Sequence, residues 1–588
     1  MTTEQNYQAV KSGRSALSRY DKKWNLPEPF AASLFTDDQT ADMAISGYTC
    51  FESLVIHSVR DALREVKGLN IEDKRIVFIL STTKGNVDML SYSSVDESCL
   101  SPASSAKKIA AVIGITTEPI VVCNACISGA AAQMLALRLL DAGFYDYAIV
   151  TGAEVQSAFI VSGFQSLKAV SDAPCRPFDI ERIGLNLGEA AATIIFSSAD
   201  NKGVIHDTFY EADDSTNWAL ISASVRNDGF HITGPSPMAD GCYNAISDVM
   251  RGQDKGRLAT VNVHGTATMY NDQMESVGIS RAGLTDVPLS ALKGYYGHTM
   301  GAAGVLETII TMRSLDDGLI LPSLGFSEKG VSGKVLISNK PITTDKSSFL
   351  KIISGFGGCN AALLFSKVKP KSLGLSVESS GFSLRTTHTV DITSSEVLVD
   401  NIPVKVSSSG KELLTSLYKS HIADYPKFYK MDMLTRLAFV ASELLVQAEG
   451  RSDYDECASE ISRSVILFNN SSSIVADRQY VSTIQSPNNF FPSPSVFVYT
   501  LPNITTGEIA IRNHYRGETS FYILPERNEA LINDIILSSV QSSTSASFIS
   551  GWIDCPDEYN FEAHLKIYQM DSSFCESVGQ AEQLTINH

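Results

Sequence analysis

Long apolar runs, an apolar N-terminal segment and a regular cysteine spacing are all missing from this 588-residue chain. The longest apolar candidate, residues 119–140, is interrupted by Asn124, Ser128, Gln133 and Arg138, so we expect no membrane-spanning helix and no membrane partner. The first residues, MTTEQNYQAVKSGRS, contain no apolar stretch and do not predict a secretory signal. Ten cysteines without paired or repeated spacing predict neither a disulfide framework nor a zinc site.

Positive charge is also scarce. Lys and Arg number 47 against 65 Asp and Glu, which gives a formal net charge of −18 at pH 7. Phosphate backbones repel such a chain, so we expect no nucleic-acid partner. Hydrophobic residues make up 44% and charged residues 19%, as in ordinary globular proteins. The composition therefore predicts a cytoplasmic protein, and the length predicts two to four folding units.

Short β-rich runs alternate with small-residue helices up to about residue 367. Runs rich in Val and Ile, such as residues 74–83 and 145–155, predict strands of a parallel or mixed sheet that is covered on both faces. The pattern therefore predicts an α/β fold. From periodicity alone, any doubly wound α/β fold remains open.

A shift in composition over residues 366–381 marks a second region. We predict one domain over 1–367, with halves of roughly 1–200 and 201–367, a linker at 368–382 and a second domain at 383–588. The second region repeats the order of the first: RIVFILSTTKGNV is similar to RSVILFNNSSSIV, IVVCNACISGAA to VFVYTLPNITTGEIA, and YDYAIVTGAEV to SASFISGWIDC. This alignment places Asn503 or Ile504 opposite Cys126, so we expect the second region to be non-catalytic.

Cys126 follows an apolar run and precedes a small-residue helix. A thiol at a helix N-terminus lies at the positive end of the helix dipole, so the pattern predicts a lowered thiol pKa. Taken alone, such a cysteine is more often an inert core residue. Cys123 and Cys126 form a C-x-x-C pair, but no second pair follows, so we predict no metal, redox chemistry or cofactor.

Two histidines stand at comparable junctions. His264 follows an apolar strand and precedes Gly-Thr-Ala-Thr, and His298 lies within GHTMGAAG. Lys293 and Glu307 flank His298, either as a buried ion pair that organises the site or as a surface pair of little value. Phe356 lies in the cluster GFGG, whose glycines suit either a ligand-facing backbone or a plain turn. One cysteine with two histidines is the set that covalent acyl transfer requires.

In their order along the chain, these motifs resemble those of the β-ketoacyl-acyl-carrier-protein synthases of the elongating Cys-His-His type, within the thiolase-like superfamily. The resemblance covers most of residues 5–367 and rests on NYQAVKSGRSAL, NACISGAA, CRPFDIERIGLNLGEAAA, DGFHITGPSP, VHGTATMYNDQME, KGYYGHTMGAAGVLE and SGFGGCNAALLF. It implies a layered αβαβα fold, and it implies that the C-terminal region is a second, incomplete thiolase-like half.

The resemblance also implies a role for each residue. Cys126 would accept the acyl chain from a carrier-protein thioester. His264 and His298 would promote decarboxylation of a malonyl unit and stabilise the enolate. The backbone N–H groups of Cys126 and Phe356 would form the oxyanion hole, and Phe356 would gate the pocket. Supporting roles would fall to Lys293, Glu307, Asp272 and Glu275.

Three positions depart from the family pattern. Only MTTEQ precedes NYQAVKSG, where the family normally has an apolar strand and a Gly-rich turn, so either the start lies upstream or the first strand is missing. Asn124 replaces a common Thr, and Cys359 replaces the Thr of GFGGTN. The C-terminal region resembles the degenerate subunit that partners an active ketosynthase, so we expect it to act as a fused chain-length factor. A catalytically silent partner subunit and a non-decarboxylating thiolase or acyltransferase are the alternatives.

The resemblance implies an acyl carrier protein as partner, and both a homodimer and an intramolecular pseudo-dimer remain open. Carrier proteins are acidic, so a local basic patch would have to attract one to this acidic chain. Lys107, Lys108 and Arg138 lie near the nucleophile segment and are candidates for that patch.

Overall fold

The computed structural model of this protein describes residues 2–66, 68–92, 99–198, 217–368, 384–450, 462–485, 490–542, 545 and 547–570. Apart from residue 368, the predicted linker at 368–382 lies outside the described residues. Among the helices of the described ranges, none combines the length and the apolar character needed to cross a membrane.

The first region contains ten helices and fifteen strands within its described residues. The helices are α1 Thr3–Lys11, α2 Asp37–Met43, α3 Cys50–Glu65, α4 Pro102–Ile113, α5 Ser128–Asp141, α6 Ala158–Ser166, α7 Asp240–Val249, α8 Met269–Arg281, α9 Lys293–Tyr296 and α10 Ala303–Asp316. The strands are β1 Ser18–Tyr20, β2 Phe30–Ser33, β3 Ile76–Ser81, β4 Ile120–Val122, β5 Tyr147–Glu154, β6 Leu187–Gly188, β7 Ala190–Ser197, β8 Asn217–Asn227, β9 Leu258–Asn262, β10 Pro288–Ser290, β11 Leu319–Ile320, β12 Leu336–Ile337, β13 Ile342–Thr343, β14 Ser348–Gly355 and β15 Cys359–Val368.

The second region has the following elements within its described residues. Its helices are α11 Lys411–Leu417, α12 Met433–Ala448, α13 Ile474–Ser482, α14 Pro494–Tyr499, α15 Ile504–Asn513 and α16 Glu529–Ser542. Its strands are β16 Leu384–Thr393, β17 Val397–Val399, β18 Ile402–Pro403, β19 Ser464–Asn469, β20 Thr519–Ile523, β21 Ser547–Asp554 and β22 Glu562–Met570.

Two large sheets enclose a buried helical layer in the first region. One sheet has the order β12-β10-β9-β14-β15-β8, and the other includes β4-β3-β5-β7. Helices α5 and α10 lie between them and share one apolar core with both sheets. The helices pack backbone to backbone, since a Cβ built on Gly304 would lie 2.4 Å from the Ala130 nitrogen. The predicted layered α/β fold is confirmed, and the small residues of α5 are what allow this close packing.

The second region extends the sheet that contains β4, because β20 pairs with β4. The full order is β18-β17-β16-β22-β21-β19-β20-β4-β3-β5-β7, and Val122 pairs antiparallel with Tyr522. The strands on the two sides of this junction correspond in pairs: β4 with β20, β3 with β19, β5 with β21 and β7 with β22. The two repeats therefore meet as a pseudo-dimer within one chain.

One of the three predicted repeat matches is wrong. Residues 494–499, expected to match the strand before Cys126, form helix α14 instead. Pro494 occupies the first turn of this helix and the Ser493 side chain accepts from the Val496 N–H, two features that start helices. The true counterpart of the Cys126 turn is the segment between β20 and α16, where Arg527 stands two residues before the helix.

Candidate active site

Cys126 lies in a tight turn between β4 and α5. The preceding Ala125 has a φ of +47°, a strained value for a residue with a Cβ. The Asn124 N–H donates to the Ser128 hydroxyl at 2.8 Å, which closes the turn. This geometry directs Cys126 to the junction of the two large sheets, where it is almost fully buried.

The two predicted histidines converge on this cysteine. His264 follows β9, His298 lies between α9 and α10, and their ring centroids are 5.1 Å apart. One ring nitrogen of each histidine and the Cys126 sulfur all lie within 4.8 Å of one another. Ala267 and Met300, which follow the histidines closely, also have positive φ angles, so strained backbone adjoins each of the three residues.

The protonation state of His298 follows from its hydrogen bonds. The Met300 N–H donates to His298 Nδ1 at 3.3 Å, so the neutral ring carries its proton on Nε2. Among the described residues His298 Nε2 has no partner, although it is buried. The site therefore offers a free N–H donor to an incoming carbonyl oxygen.

Behind the histidines lies an ion cluster of Lys293, Glu307 and Lys351. Lys293 Nζ is 2.7 Å from one Glu307 oxygen, and Lys351 Nζ is 2.5 Å from the other. Burial acts to raise the pKa of Glu307, but the two ammonium groups outweigh it and hold that pKa below its usual value. Burial lowers the pKa of Lys351 to about 8, against the opposing pull of Glu307.

The same cluster keeps both histidines neutral. Burial, followed by the charge of Lys293, holds the pKa of His264 and that of His298 well below the usual value. Neutral imidazoles are the hydrogen-bond donors that an enolate or thioester oxygen requires.

The thiol pKa differs from the sequence prediction. Burial raises the pKa of Cys126 to about 12, with only partial relief from Lys293. Desolvation of a thiolate thus outweighs the helix dipole, and Cys126 rests as a thiol.

Phe356 lies on the turn between β14 and β15, directly beside Cys126. A Cβ built on Gly355 would be 3.3 Å from the Cys126 nitrogen, so the turn runs alongside the Cys126 N–H. The Phe356 ring stacks on Phe164 with centroids 6.0 Å apart. A cavity next to Cys126 has a volume of only about 10 Å³, enough for one water molecule. Phe356 forms part of its wall.

Asp272 and Glu275 hold the backbone that presents His264. Glu275 accepts from the N–H groups of His264 and Gly265 at 2.6 and 2.9 Å. Asp272 accepts from the Phe178 N–H at 2.7 Å. Both carboxylates accept from backbone N–H groups, which is the supporting role that the resemblance implied for them.

Two family models match the first region of the chain. Residues 60–201 match the model described as beta-ketoacyl synthase, N-terminal domain, and residues 219–327 match beta-ketoacyl synthase, C-terminal domain. This part of the chain is therefore similar to both domains of the β-ketoacyl synthases.

Curated relatives agree over the same part of the chain. A putative mitochondrial 3-oxoacyl-[acyl-carrier-protein] synthase of Schizosaccharomyces pombe is 29% identical over 264 residues, which cover 42% of this chain and 60% of that protein. The 3-oxoacyl-[acyl-carrier-protein] synthase 2 of Vibrio cholerae is 30% identical over 271 residues, covering 43% and 64%. The chain thus spans about three fifths of the length of these relatives.

Solved structures extend the similarity of fold to the second region. A β-ketoacyl synthase from Burkholderia phymatum STM815 is 25% identical, with a TM-score of 0.54 over 62% of this chain and 94% of that one. The PfaC keto synthase–chain length factor is 13% identical, with a TM-score of 0.75 over 97% of this chain and 77% of that one. The latter similarity concerns the fold alone, and it includes both repeats.

Sequence reasoning missed two residues of this candidate site. Lys351, the second cation on Glu307, is a lysine at the centre of the apolar strand β14, and that position was the available signal. Glu154 binds the Thr83 N–H and the Gly301 N–H at 2.9 and 3.0 Å, which ties β3 to the segment after His298. A glutamate ending an apolar strand gives no comparable signal.

The structure corrects the expectation that Arg138 belongs to a basic surface patch. Arg138 is buried and pairs with Glu518 at 2.8 Å, so it does not belong to a surface patch for a carrier protein.

Cys126, His264 and His298 offer sulfur and nitrogen atoms of the kind that bind Zn²⁺. The positive charges of Lys293 and Lys351, which act on both histidines, favour an anion there over a dication.

Proposed function

We propose that this chain is a β-ketoacyl-acyl-carrier-protein synthase that extends a Cys126-bound acyl group with a malonyl unit. The convergence of a buried thiol and two neutral histidines within 4.8 Å carries the proposal. The names of the curated relatives supply the acyl-carrier-protein thioester as substrate and partner.

The first step is acyl transfer to Cys126. The sulfur attacks the thioester carbonyl, the new C–S bond forms, and the bond to the carrier sulfur breaks. The thiol proton passes to the departing carrier thiolate. The oxyanion of the tetrahedral intermediate lies against the turn that carries Phe356, where the N–H groups of Cys126 and Phe356 stabilise it.

The second step is decarboxylative condensation. The bond from the malonyl α-carbon to its carboxylate breaks, CO₂ leaves, and the electron pair forms an enolate. His298 donates from Nε2 to the enolate oxygen, and His264 assists from the other side. The enolate carbon attacks the Cys126 thioester, the new C–C bond forms, and the C–S bond breaks. The released thiolate then takes a proton from solvent, as its raised pKa favours.

We further propose that the second region determines the length of the acyl chain. Phe497 and Leu501, both from this region, form part of the cavity wall beside Cys126. The Phe497 ring packs directly on Gly163, where a Cβ would lie 2.1 Å from it. Because the cavity holds only one water, an acyl chain enters by displacing these side chains.

Intact-protein mass spectrometry tests the reaction. Wild-type protein and Cys126→Ala are incubated with acyl-carrier-protein thioesters, and malonyl-carrier protein is then added. An acyl adduct on the wild type alone, followed by a β-ketoacyl product, supports the proposal. No adduct with any donor would favour a silent partner subunit, and extension by acetyl instead of malonyl thioesters would favour a thiolase.

Product length tests the role of the second region. Phe497→Ala should shift the products of the full chain toward longer acyl groups. Phe428→Ala is the matched control, because Phe428 is an equally buried ring of the same region that stacks on Tyr418 away from the cavity. An unchanged product profile for Phe497→Ala would refute this role.

A further inference from the structure

The turn that carries Phe356 is held by a side chain from the second region. Asn503, one residue before α15, donates from Nδ2 to the Phe356 carbonyl oxygen at 2.8 Å. The Cys359 thiol donates to the same oxygen at 3.3 Å. Asn503 is only 2% exposed, so this contact is closed to water. Two donors from different parts of the chain thus fix one peptide beside the nucleophile.

The first turn of α15 packs onto the same segment. A Cβ built on Gly507 would lie 2.6 Å from the Gly357 oxygen, so glycine is required for this approach. From the first region, Asn227 donates to the Gly357 oxygen at 2.8 Å. The Gly357 N–H in turn donates to the Ile232 carbonyl at 2.6 Å. The turn has no room to shift while α15 is in place.

The nucleophile segment is tied to the second region as well. The Asn124 side chain accepts from the Phe521 N–H at 2.8 Å and donates to the Thr519 carbonyl at 3.2 Å. Both contacts are to β20. Asn124, which stands where the family commonly has Thr, therefore continues the β4–β20 pairing by means of its side chain. Both backbone segments of the proposed oxyanion hole are thus held from across the pseudo-dimer.

Simple filling of the interface does not account for Asn503. Its Oδ1 is buried without a hydrogen-bond partner within the described ranges, a cost that an apolar side chain of similar size would avoid. Its Nδ2 contacts are the Phe356 oxygen and, at 3.8 Å, the Cys359 sulfur. The side chain is therefore aimed at the turn.

We propose that Asn503 is a positioning residue, supplied by the second region, that sets the oxyanion hole for acyl transfer to Cys126. This inference rests on the proposed function. Acyl transfer forms an oxyanion next to Cys126, whereas malonyl decarboxylation places its negative charge at the histidines. A change at Asn503 should consequently slow the first reaction and spare the second.

The test measures both half-reactions on the full chain. Cys126 acylation is followed by intact mass, and malonyl decarboxylation by CO₂ release without an acyl donor. Asn503→Ala should slow acylation by about 10- to 100-fold, the range expected for a misplaced reacting group or oxyanion donor. Its decarboxylation rate should stay within about twofold of wild type.

Asn528→Ala is the matched control. Asn528 also belongs to the second region and donates to Glu118 of the first at 2.7 Å, away from the turn. It should leave both rates within about twofold. Gly507→Ala, which pushes α15 against Gly357 while Asn503 is kept, should reproduce the selective loss of acylation and serves if Asn503→Ala does not fold.

The outcomes separate this inference from the proposed function. If wild type neither acylates nor decarboxylates, the proposed function fails. If wild type does both and the Asn503 and Gly507 variants lose both rates in parallel, or lose neither, the positioning role is refuted.

Discussion

The turn before α5 and the turn before α16 have the same place in two repeats but opposite surroundings. Cys126 stands two residues before α5 and is 8% exposed. Arg527 stands two residues before α16, has a side chain that is 35% exposed, and pairs with Glu529 at 2.5 Å. A strand, a turn of equal length and a helix therefore hold a buried thiol in one repeat and a solvated ion pair in the other.

What covers each turn explains the difference. Helix α10 and the six-stranded sheet lie over α5, whereas the described part of the chain places no second sheet over α16. The strands next to α16 are accordingly polar on one face, where His564 bonds to Asp391 at 2.6 Å. The turn before α5 is buried because α10 and the six-stranded sheet cover it. The second region packs against this turn from the side.

Removing the nucleophile should have the largest effect. Cys126→Ala should reduce condensation by at least about 1,000-fold, because no acyl-enzyme can form. The equivalent change in the other repeat, Arg527→Ala, should leave the rate within about twofold. Product formation from acyl- and malonyl-carrier protein measures both. A large loss with Arg527→Ala would show that the second turn is not the passive counterpart described above.

The ion pair that joins the repeats should dominate stability. Lys84 Nζ lies 2.5 Å from Asp477 and 2.5 Å from the Thr500 carbonyl, all buried. Asp477→Ala leaves a buried ammonium without its counter-ion and should lower the free energy of unfolding by about 3–5 kcal/mol.

The exposed pair between Lys411 and Glu558 provides the control for this effect. Lys411→Ala should leave the free energy of unfolding nearly unchanged, because water screens that pair. Urea titration of the full chain measures both variants. Equal losses would mean that the buried pair does not hold the repeats together.

The contact between α5 and α10 should give a smaller loss. Gly304→Ala places a methyl group about where the Ala130 backbone lies, and overpacking of this kind costs about 1–3 kcal/mol. On α16, the exposed Asn533→Ala should change stability by less than about 0.5 kcal/mol. The same urea titration applies, and a neutral Gly304→Ala would show that the helices can separate without cost.

The fold was predictable wherever one pattern had one interpretation. Runs rich in Val and Ile predicted β3, β5 and β19, because β-branched residues over this length favour a buried strand. The run over 496–499 was ambiguous, since four apolar residues suit a strand or a helix. The Ser-Pro pair before it decided for a helix, and that error shifted the alignment to Asn503 instead of Arg527.

The residues of the site that lie in motifs could be predicted from the sequence. A residue that acts only through a contact between distant segments could not. Cys126, His264 and His298 each carry a local signature, and the fold brings all three together. Asn503 carries none, because its function depends on a hydrogen bond to Phe356 across 147 positions of sequence. The thiol pKa was also beyond reach, since the degree of burial that raises it follows from the layers above α5.

The groups that surround the histidines also differ between the two regions. His388 and His564 of the second region bond to carboxylates, whereas burial and ammonium groups hold the pKa of His264 and His298 well below normal.

A base with a lowered pKa stays neutral until the pH falls through that lowered value, so malonyl decarboxylation should change by less than about twofold from pH 7.5 to 6. An unperturbed histidine would be about three-quarters protonated at pH 6. Lys351→Met removes one cation, raises both histidine pKa values and should move the acidic loss of rate to higher pH. A wild-type rate that falls several-fold by pH 6 would show that the ammonium cluster does not control these histidines.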